Sequence, residues 1–402
     1  MKSLLILGAG IYQVPLIKTA KRMGIHTIVA SIPGNYPGFE LADEVLYENT
    51  VDYEAILKIA KDRNVDGIVT TGTDVAVITI GKVCDALGLT GLSARAAEIA
   101  SNKLLMKRAY EANGVRTARF RQIPINQEDY NDLIKDLRYP LIFKSIDSSG
   151  SRGITRVDSR SEFDAARKNA VNNTRSDSFI VEEFIEGEEY GAQAYVQNGR
   201  IEFILPHGDY VFHGDTGVPI GHFAPYKLSD EVFEDTRIQL TGAIEAMELD
   251  NCAINADFIL SDGKCYVLEI GGRSGATCLA ELVALYYDFD YYEKIIRVAL
   301  GEHVDFIPGA KAHTTGVPNA CMLLTSDKDG IIESQTDENP VNDNIVDVQF
   351  DYKPGDKVHK FRVGPHRIGH VITKGSTLEE AVDTLHTALD NIHIRVKENV
   401  GD

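Results

Sequence analysis

The stretch NADFILSDGKCYVLEIGGRSGAT, residues 255–277, decides the fold. Asp257 heads a short apolar run that ends at Leu260, Ser261-Asp262-Gly263 supplies turn chemistry, and Cys265 to Ile270 forms a second run. That spacing predicts a β-hairpin. Alternation groups Asp257 with Ile259 on one face of the first strand, and Cys265, Val267 and Glu269 on one face of the second. A turn that pairs Asp257 with a residue near 269 sets two carboxylates side by side. Like charges directly opposed destabilise a sheet, so a compensating charge is expected. Arg273 is one candidate, and a divalent cation with hard oxygen ligands is the better one. Locally, an ordinary exposed hairpin with two solvated acids explains the stretch equally well, so the rest of the chain arbitrates.

With 402 residues, 44% hydrophobic and 25% charged, the chain reads as globular, with two or three domains. A formal charge of −19 argues against a nucleic-acid or acidic-membrane surface. The five cysteines (84, 252, 265, 278 and 321) show no CxxC pair, which fits buried thiols in a reducing compartment. The apolar run of MKSLLILGAG stops at Gly8, too early for a signal peptide, and no stretch approaches the ~18 apolar residues of a membrane span. The expectation is a soluble, cytoplasmic protein.

Ser3 to Leu7 is a continuous apolar run, as in a strand buried on both faces. Gly8-Ala9-Gly10, a helical pattern from Ile11 to Met23 and a strand from Thr27 to Ala30 complete a βαβ opening. Position 13 is Gln, so the dinucleotide fingerprint fails and a nicotinamide-type oxidoreductase is disfavoured. Further alternation through Leu87 predicts a parallel, doubly wound sheet. Ser93 to Asn113 reads as one helical stretch carrying Lys103; Arg116 to Ile123 reads as a strand and Gln127 to Leu137 as a helix. Tyr139 to Ser145 is a strand that carries Lys144 into the loop DSSGSRG, Asp147 to Gly153. Small residues let backbone donors approach phosphate oxygens while the lysine acts as a point charge. Five glutamates crowd Glu182 to Glu189, where a strand is interrupted beside apolar residues. Such a segment suits an adenine edge and a ribose diol, although most acidic clusters are solvated faces.

The irregular stretch from Leu205 to Pro225 holds His207, Asp209, His213, Asp215 and His222. Their spacing matches no common zinc pattern; substrate contact is a candidate role, with no local feature that discriminates it. The aromatic cluster from Tyr286 to Tyr292 reads first as core packing. The last hundred residues offer strands in CMLLTS, IVDVQFDY and HRIGHVIT, then a helix from Thr377 to Ile392.

In this order, the N-K pair, the strand lysine before a small-residue loop, the E-E-F-I-E-G segment and the paired-carboxylate hairpin resemble the ATP-grasp superfamily of carboxylate–amine ligases. Biotin carboxylase, the carbamoyl phosphate synthetase large subunit, purine-pathway ribonucleotide synthetases and L-amino acid ligases are members. The resemblance spans nearly the whole chain and implies an α/β and α+β architecture. A Rossmann-like pre-ATP-grasp domain (1–100) would precede an ATP-grasp fold, with a small mobile lid subdomain in its first part (101–189) and the metal-binding hairpin and C-terminal strands in its second (190–402). Lys103 and Lys144 would contact ATP phosphates, and Ser148, Ser149, Gly150, Ser151, Arg152 and Gly153 would form the lid loop. Glu182 would assist the adenine amino group, the backbone around Glu183, Phe184 and Ile185 would line the ring, and Glu189 would hold the ribose. Asp257 and Glu269 would bind Mg2+, with Mn2+ as a substitute. Arg273, with Lys144 and Arg152, would serve catalysis.

The hairpin departs from the superfamily at one place. The usual E-I-N-P-R is here Glu269-Ile270-Gly271-Gly272-Arg273, and Gly271 offers no metal ligand. The implied function is an ATP-dependent ligase that activates a carboxylate as an acyl phosphate for attack by an amine or ammonia. Phosphoribosylglycinamide synthetase-like, carbamoyl phosphate synthetase-like and amino-acid ligase roles are all compatible. The partners would be a small carboxylate and a small amine, with a homodimer as the assembly. A non-catalytic nucleotide-binding sensor is the alternative that Gly271 raises.

Overall fold

The computed structural model describes residues 1–148, 150, 152–212, 217–306 and 316–398; Ser149, Ser151, His213 and Asp215 lie outside the described residues. The chain opens with four parallel strands and three helices: β1 (Ser3–Leu7), α1 (Val14–Arg22), β2 (His26–Ser31), β3 (Glu44–Tyr47), α2 (Tyr53–Asp62), β4 (Gly67–Val69) and α3 (Val77–Leu87). Their sheet runs β3-β2-β1-β4. Alternation along β1 sends Leu4 and Ile6 into a core shared with α1, and Leu5 and Leu7 into one shared with α2 and α3. Helices on both faces explain why β1 reads as an unbroken apolar run, each buried side chain contributing about 1.5–3 kcal/mol. The glycine turn after β1 is covered by a side chain from the helix that follows. The Gln13 side chain folds back over it, taking the Gly10 amide at 2.9 Å and donating to the Thr71 carbonyl at 2.5 Å.

The helical stretch from Ser93 to Asn113 is two helices, α4 (Ala94–Ala100) and α5 (Lys103–Ala112), rather than one. Asn102 breaks it: its Oδ1 accepts from the amides of Leu104 and Leu105, each at 3.0 Å. A short amide side chain that competes for backbone donors favours a cap over a helix interior. Lys103 therefore begins a new helix instead of sitting mid-surface on an old one. Beyond it lie β5 (Phe120–Pro124), α6 (Asn131–Ile134), β6 (Leu141–Lys144), β7 (Ile154–Val157), α7 (Phe163–Asn172) and β8 (Ser178–Glu183), with an antiparallel sheet ordered β5-β8-β6-β7. The helix expected from Gln127 to Leu137 shrinks to a single turn, since Asp129 accepts the Asn131 amide at 3.1 Å in a local bond that competes with helix.

The largest sheet uses β9 (Glu188–Gln197), β10 (Arg200–Val211) and β11 (Pro219–Ala224), then, after α8 (Asp230–Ala246), β12 (Cys252–Ser261) and β13 (Lys264–Gly271). α9 (Leu279–Tyr287) and α10 (Tyr291–Ala299) lead to β14 (Asn319–Leu324), β15 (Gly330–Asp337), β16 (Ile345–Phe350), β17 (Lys357–Val358), β18 (Gly369–Lys374), α11 (Leu378–Asp390) and β19 (Ile392–Glu398). Eight strands pair in the order β13-β12-β9-β10-β11-β14-β18-β16, and β17-β15-β19 form a separate small sheet. β15 and β19 are not among the strands expected from the sequence. Each buries one large apolar side chain, Ile332 and Val396, so neither shows a clear alternation. Tyr286 and Tyr291 are core residues, as the packing reading anticipates.

The hairpin itself forms, with Asp262 and Gly263 at its tip, both at positive φ (48° and 70°). The expected grouping of Cys265, Val267 and Glu269 on one face needs correction. Phe258 pairs with Val267 but Asp257 pairs with Glu269, so Leu268 is the extra residue of a β-bulge. A one-residue slip reverses the alternation. Cys265, Val267 and Ile270 are buried together on one side, and Glu269 joins Asp257 on the other.

Candidate active site

One transverse row of the large sheet collects the chemistry. Glu269 pairs with Asp257, Asp257 with Gly191, and Gly191 with His207, so these residues point to the same face. Gly191 is glycine for lack of room, because a Cβ there would stand 2.2 Å from the His207 ring. The neighbouring row adds Gln193, whose Nε2 donates to Asn255 Oδ1 at 2.6 Å and whose Oε1 accepts the Gly275 amide at 2.9 Å. This clamp holds the loop that follows the hairpin. Burial pushes the Asp257 carboxyl up to about 7, and the Asp209 and Glu269 carboxylates add to the effect. An oxygen pair under that strain is one a divalent cation relieves, so Asp257 and Glu269 fit Mg2+.

Two lysines converge on the row. Lys103, placed by the Asn102 cap, reaches Glu269 Oε1 at 2.9 Å and donates to the Ser148 carbonyl at 2.7 Å. Lys144, at the end of β6, pairs with Glu182. Burial alone would lower the Lys144 pKa, but Glu182, Glu269 and Glu189 together raise it. The loop after Lys144 closes on itself, with the Ser145 amide donating to the Gly153 carbonyl at 3.1 Å and Ser145 Oγ to the Arg152 carbonyl at 3.0 Å. Gly153 sits at φ +72°, where a Cβ would also strike Ser145 Oγ at 2.7 Å. Arg152 and Gly150 are exposed, and Ser148 Oγ donates to the Asn173 carbonyl.

The acidic segment divides. Glu182 is buried between Lys144 and Lys107, whose Nζ lies 2.9 Å from Glu182 Oε2. Lys107 also donates to Thr117 Oγ1 at 2.7 Å. Burial would raise the Glu182 carboxyl, yet the two ammoniums hold it below its ordinary value. Glu183 is held by Arg119 and Arg138, while its amide donates to the Arg119 carbonyl at 2.9 Å and the Phe184 amide to Pro140 at 2.9 Å. Ile185 follows where the strand has ended, and Glu189 stands exposed on β9 opposite Ile259. Glu182→Leu should leave two buried lysines without their carboxylate and lower stability by about 3–5 kcal/mol. A urea midpoint close to wild type would show instead that both lysines regain water.

Arg273 is held from outside the hairpin. Its Nε and Nη2 donate to the two oxygens of Asp74 at 2.7 and 2.8 Å, a bidentate pair. Asp74 precedes α3, so the pair ties the hairpin to the parallel-sheet part of the chain. Burial would raise the Asp74 carboxyl, but the guanidinium keeps it below its ordinary value. A Cβ at Gly271 would stand 3.3 Å from Asp74 Oδ1. The space beside Gly271 is thus taken up by a carboxylate from elsewhere in the chain.

Sequence reasoning assigns no role to Lys107, Asp74, Gln193 or Asn255. For Lys107 a signal exists, since it lies four residues from Lys103 and therefore on the same face of α5. Asp74 and Gln193 act through partners 199 and 62 residues away, and local spacing carries no trace of them.

Two family models match the chain: an ATP-grasp domain over residues 137–281, and L-amino acid ligase C-terminal domain 2 over residues 322–397. The crystal structure of phosphoribosylglycinamide synthetase from Anaerococcus prevotii is 35% identical, with a TM-score of 0.85, covering 98% of this chain and 100% of that one. That of L-amino acid ligase from Bacillus licheniformis has a TM-score of 0.80 over 99% of both chains, and at 21% identity it speaks for the fold alone. Among curated sequences, alanine–anticapsin ligase of Bacillus amyloliquefaciens is 30% identical over 279 residues, 64% of this chain. The chain spans 48–58% of the length of the three alanine–anticapsin ligases it matches. Among the described residues, no helix is long and apolar enough to cross a membrane.

Proposed function

We propose that this chain, which belongs to the ATP-grasp family, is an ATP-dependent ligase that joins the carboxylate of an amino acid to an amine. The observation that carries the reading is the convergence of Lys103 on Glu269 at 2.9 Å, in the row that pairs Glu269 with Asp257. An anion site and a cation site meet there, as phosphoryl transfer requires.

A carboxylate is a poor electrophile. Transfer of the γ-phosphoryl group to its oxygen gives an acyl phosphate and ADP; the amine then attacks the acyl carbon and phosphate leaves. The protein's part is alignment, charge neutralisation and exclusion of water. Lys103 and Lys144 supply positive charge to the phosphates, and Glu182 with Lys107 behind it fixes where Lys144 points. Ser148, whose carbonyl accepts from Lys103, brings the start of the loop after β6 to the reacting end, and the strand exit from Glu183 to Ile185 with Glu189 receives the nucleoside. Mg2+, held by Asp257 and Glu269, would neutralise charge on the phosphates during transfer, and Mn2+ would take the same oxygens. Arg273 stabilises charge developing on the acyl group. An amino acid as the acid component follows the names of the relatives, an L-amino acid ligase and an alanine–anticapsin ligase.

A nucleotide-binding sensor is the second reading, favoured by the missing ligand at Gly271. ADP release measured across mixtures of amino acids and amines separates the two. The ligase reading expects ADP that depends on both components. Mg2+-dependent ATP binding with no such ADP in any mixture would leave the sensor.

A further inference from the structure

We propose that Thr117 is a positioning residue of the cation site: its hydroxyl holds the hairpin strand at the bulge that turns Glu269 toward Asp257. This deepens the ligase reading and rests on its cation site. Glu269 reaches that site only through the bulge. Phe258 pairs with Val267 and Asp257 with Glu269, so Leu268 is the inserted residue. Without the insertion, strict alternation returns Glu269 to the side of Cys265 and Val267, both fully buried. The register that frees the carboxylate therefore needs support from outside the strand.

That support comes from α5, in two rungs. Lys103 and Lys107 lie four apart on one face of this helix. Lys103 takes the strand after the bulge, with Nζ 2.9 Å from Glu269 Oε1. Lys107 takes it before the bulge, through Thr117. Its Nζ donates to Thr117 Oγ1 at 2.7 Å, and Thr117 Oγ1 donates to the Val267 carbonyl at 2.7 Å. The neighbouring backbone completes the grip, since the Val267 amide donates to the Arg116 carbonyl at 2.8 Å. Both backbone polar groups of the residue just before the bulge are thus held by Arg116 and Thr117.

The chemistry calls for a hydroxyl. It has one proton to give and lone pairs to receive, so it can accept from a cation and donate to a carbonyl at once. An ammonium on its lone pair strengthens the bond that it makes in turn. Lys107 is itself 2% exposed, and its Nζ lies 2.9 Å from Glu182 Oε2, while the other Glu182 oxygen pairs with Lys144. One chain of polar contacts thus runs from Val267 through Thr117, Lys107 and Glu182 to Lys144. The strand that carries Glu269 and the lysine assigned to the phosphates share a single buried support.

Calorimetric titration of the full chain with a non-hydrolysable ATP analogue, in excess Mg2+ and again in EDTA, reads the cation site without requiring turnover. Wild-type protein is expected to bind the analogue on the order of 10²-fold more tightly with Mg2+ than without it. Thr117→Val keeps the shape and removes the hydroxyl; it should bring that ratio within about tenfold, with affinity in EDTA unchanged. Thr117→Ser keeps the hydroxyl and should restore the wild-type ratio. Thr117→Ala carries the same expectation as Thr117→Val, and replaces it if the valine variant shows no cooperative melt. A wild-type ratio in the variant without the hydroxyl, a serine variant as weak as the valine one, or an equal loss with and without Mg2+ would overturn the inference, since each reduces Thr117 to packing. Wild-type binding that ignores Mg2+ would remove the cation site and the inference with it. The ADP-release assay reads turnover alone, so the ligase reading can fail while Mg2+-dependent binding and the role of Thr117 stand.

Discussion

Glu269→Ala is expected to reduce acid- and amine-dependent ADP release by about 10³-fold or more, with cooperative unfolding retained. The loss is large because one side chain serves two purposes. It is one of two oxygen donors in the proposed cation site, and it is the anchor of Lys103 Nζ at 2.9 Å. The fold should survive because the bulge at Leu268 turns Glu269 away from the buried group of Cys265, Val267 and Ile270. Its side chain is 39% exposed, and an ion pair with that much solvent access contributes at most about 1 kcal/mol. Removing a carboxylate that raises the Asp257 pKa also relieves like-charge repulsion, so the melting temperature should stay level or rise slightly. Two measurements decide it: steady-state ADP release and a thermal melt without nucleotide. Turnover near the wild-type rate would remove Glu269 from the cation site.

The hairpin and its acid pair are legible in the sequence because side-chain alternation and a Ser-Asp-Gly turn are local signals. The bulge is not, since it inserts one residue without changing composition; strict alternation therefore sets Glu269 on the wrong face while pairing it with the right partner. Asn102 illustrates the same limit from the other side: apolar spacing runs through it, and only its cap bonds show that the helix restarts at Lys103. Residues that act across elements are silent. Lys107 has only its place on the face of Lys103 to mark it until β8 delivers Glu182 to it, and the His207–Asp209–His222 group exists only through the β10–β11 register. β15 and β19 escape notice for an energetic reason, since a strand that buries one large apolar residue is written mostly in polar ones.

Arg273→Ala should lower kcat by about 10²- to 10³-fold with little change in nucleotide affinity, as expected for a donor used mainly in the transition state. Arg273→Lys should recover little of this. A lysine cannot satisfy both oxygens of Asp74 and still present a planar donor to the reacting group, so the substitution is not conservative here. The dependence on Asp74 gives a sharper test. Asp74→Asn keeps the shape but weakens the fork that orients the guanidinium, and it should lower kcat by about tenfold while KM for the acid changes less. If Asp74 acts only through Arg273, the double variant should be no slower than Arg273→Ala alone, because two residues in one bidentate pair are coupled. Losses that instead multiply would mean that Asp74 touches the substrate itself. The carboxylate beside Gly271 would then have a further role, supplying an oxygen where the hairpin has no side chain.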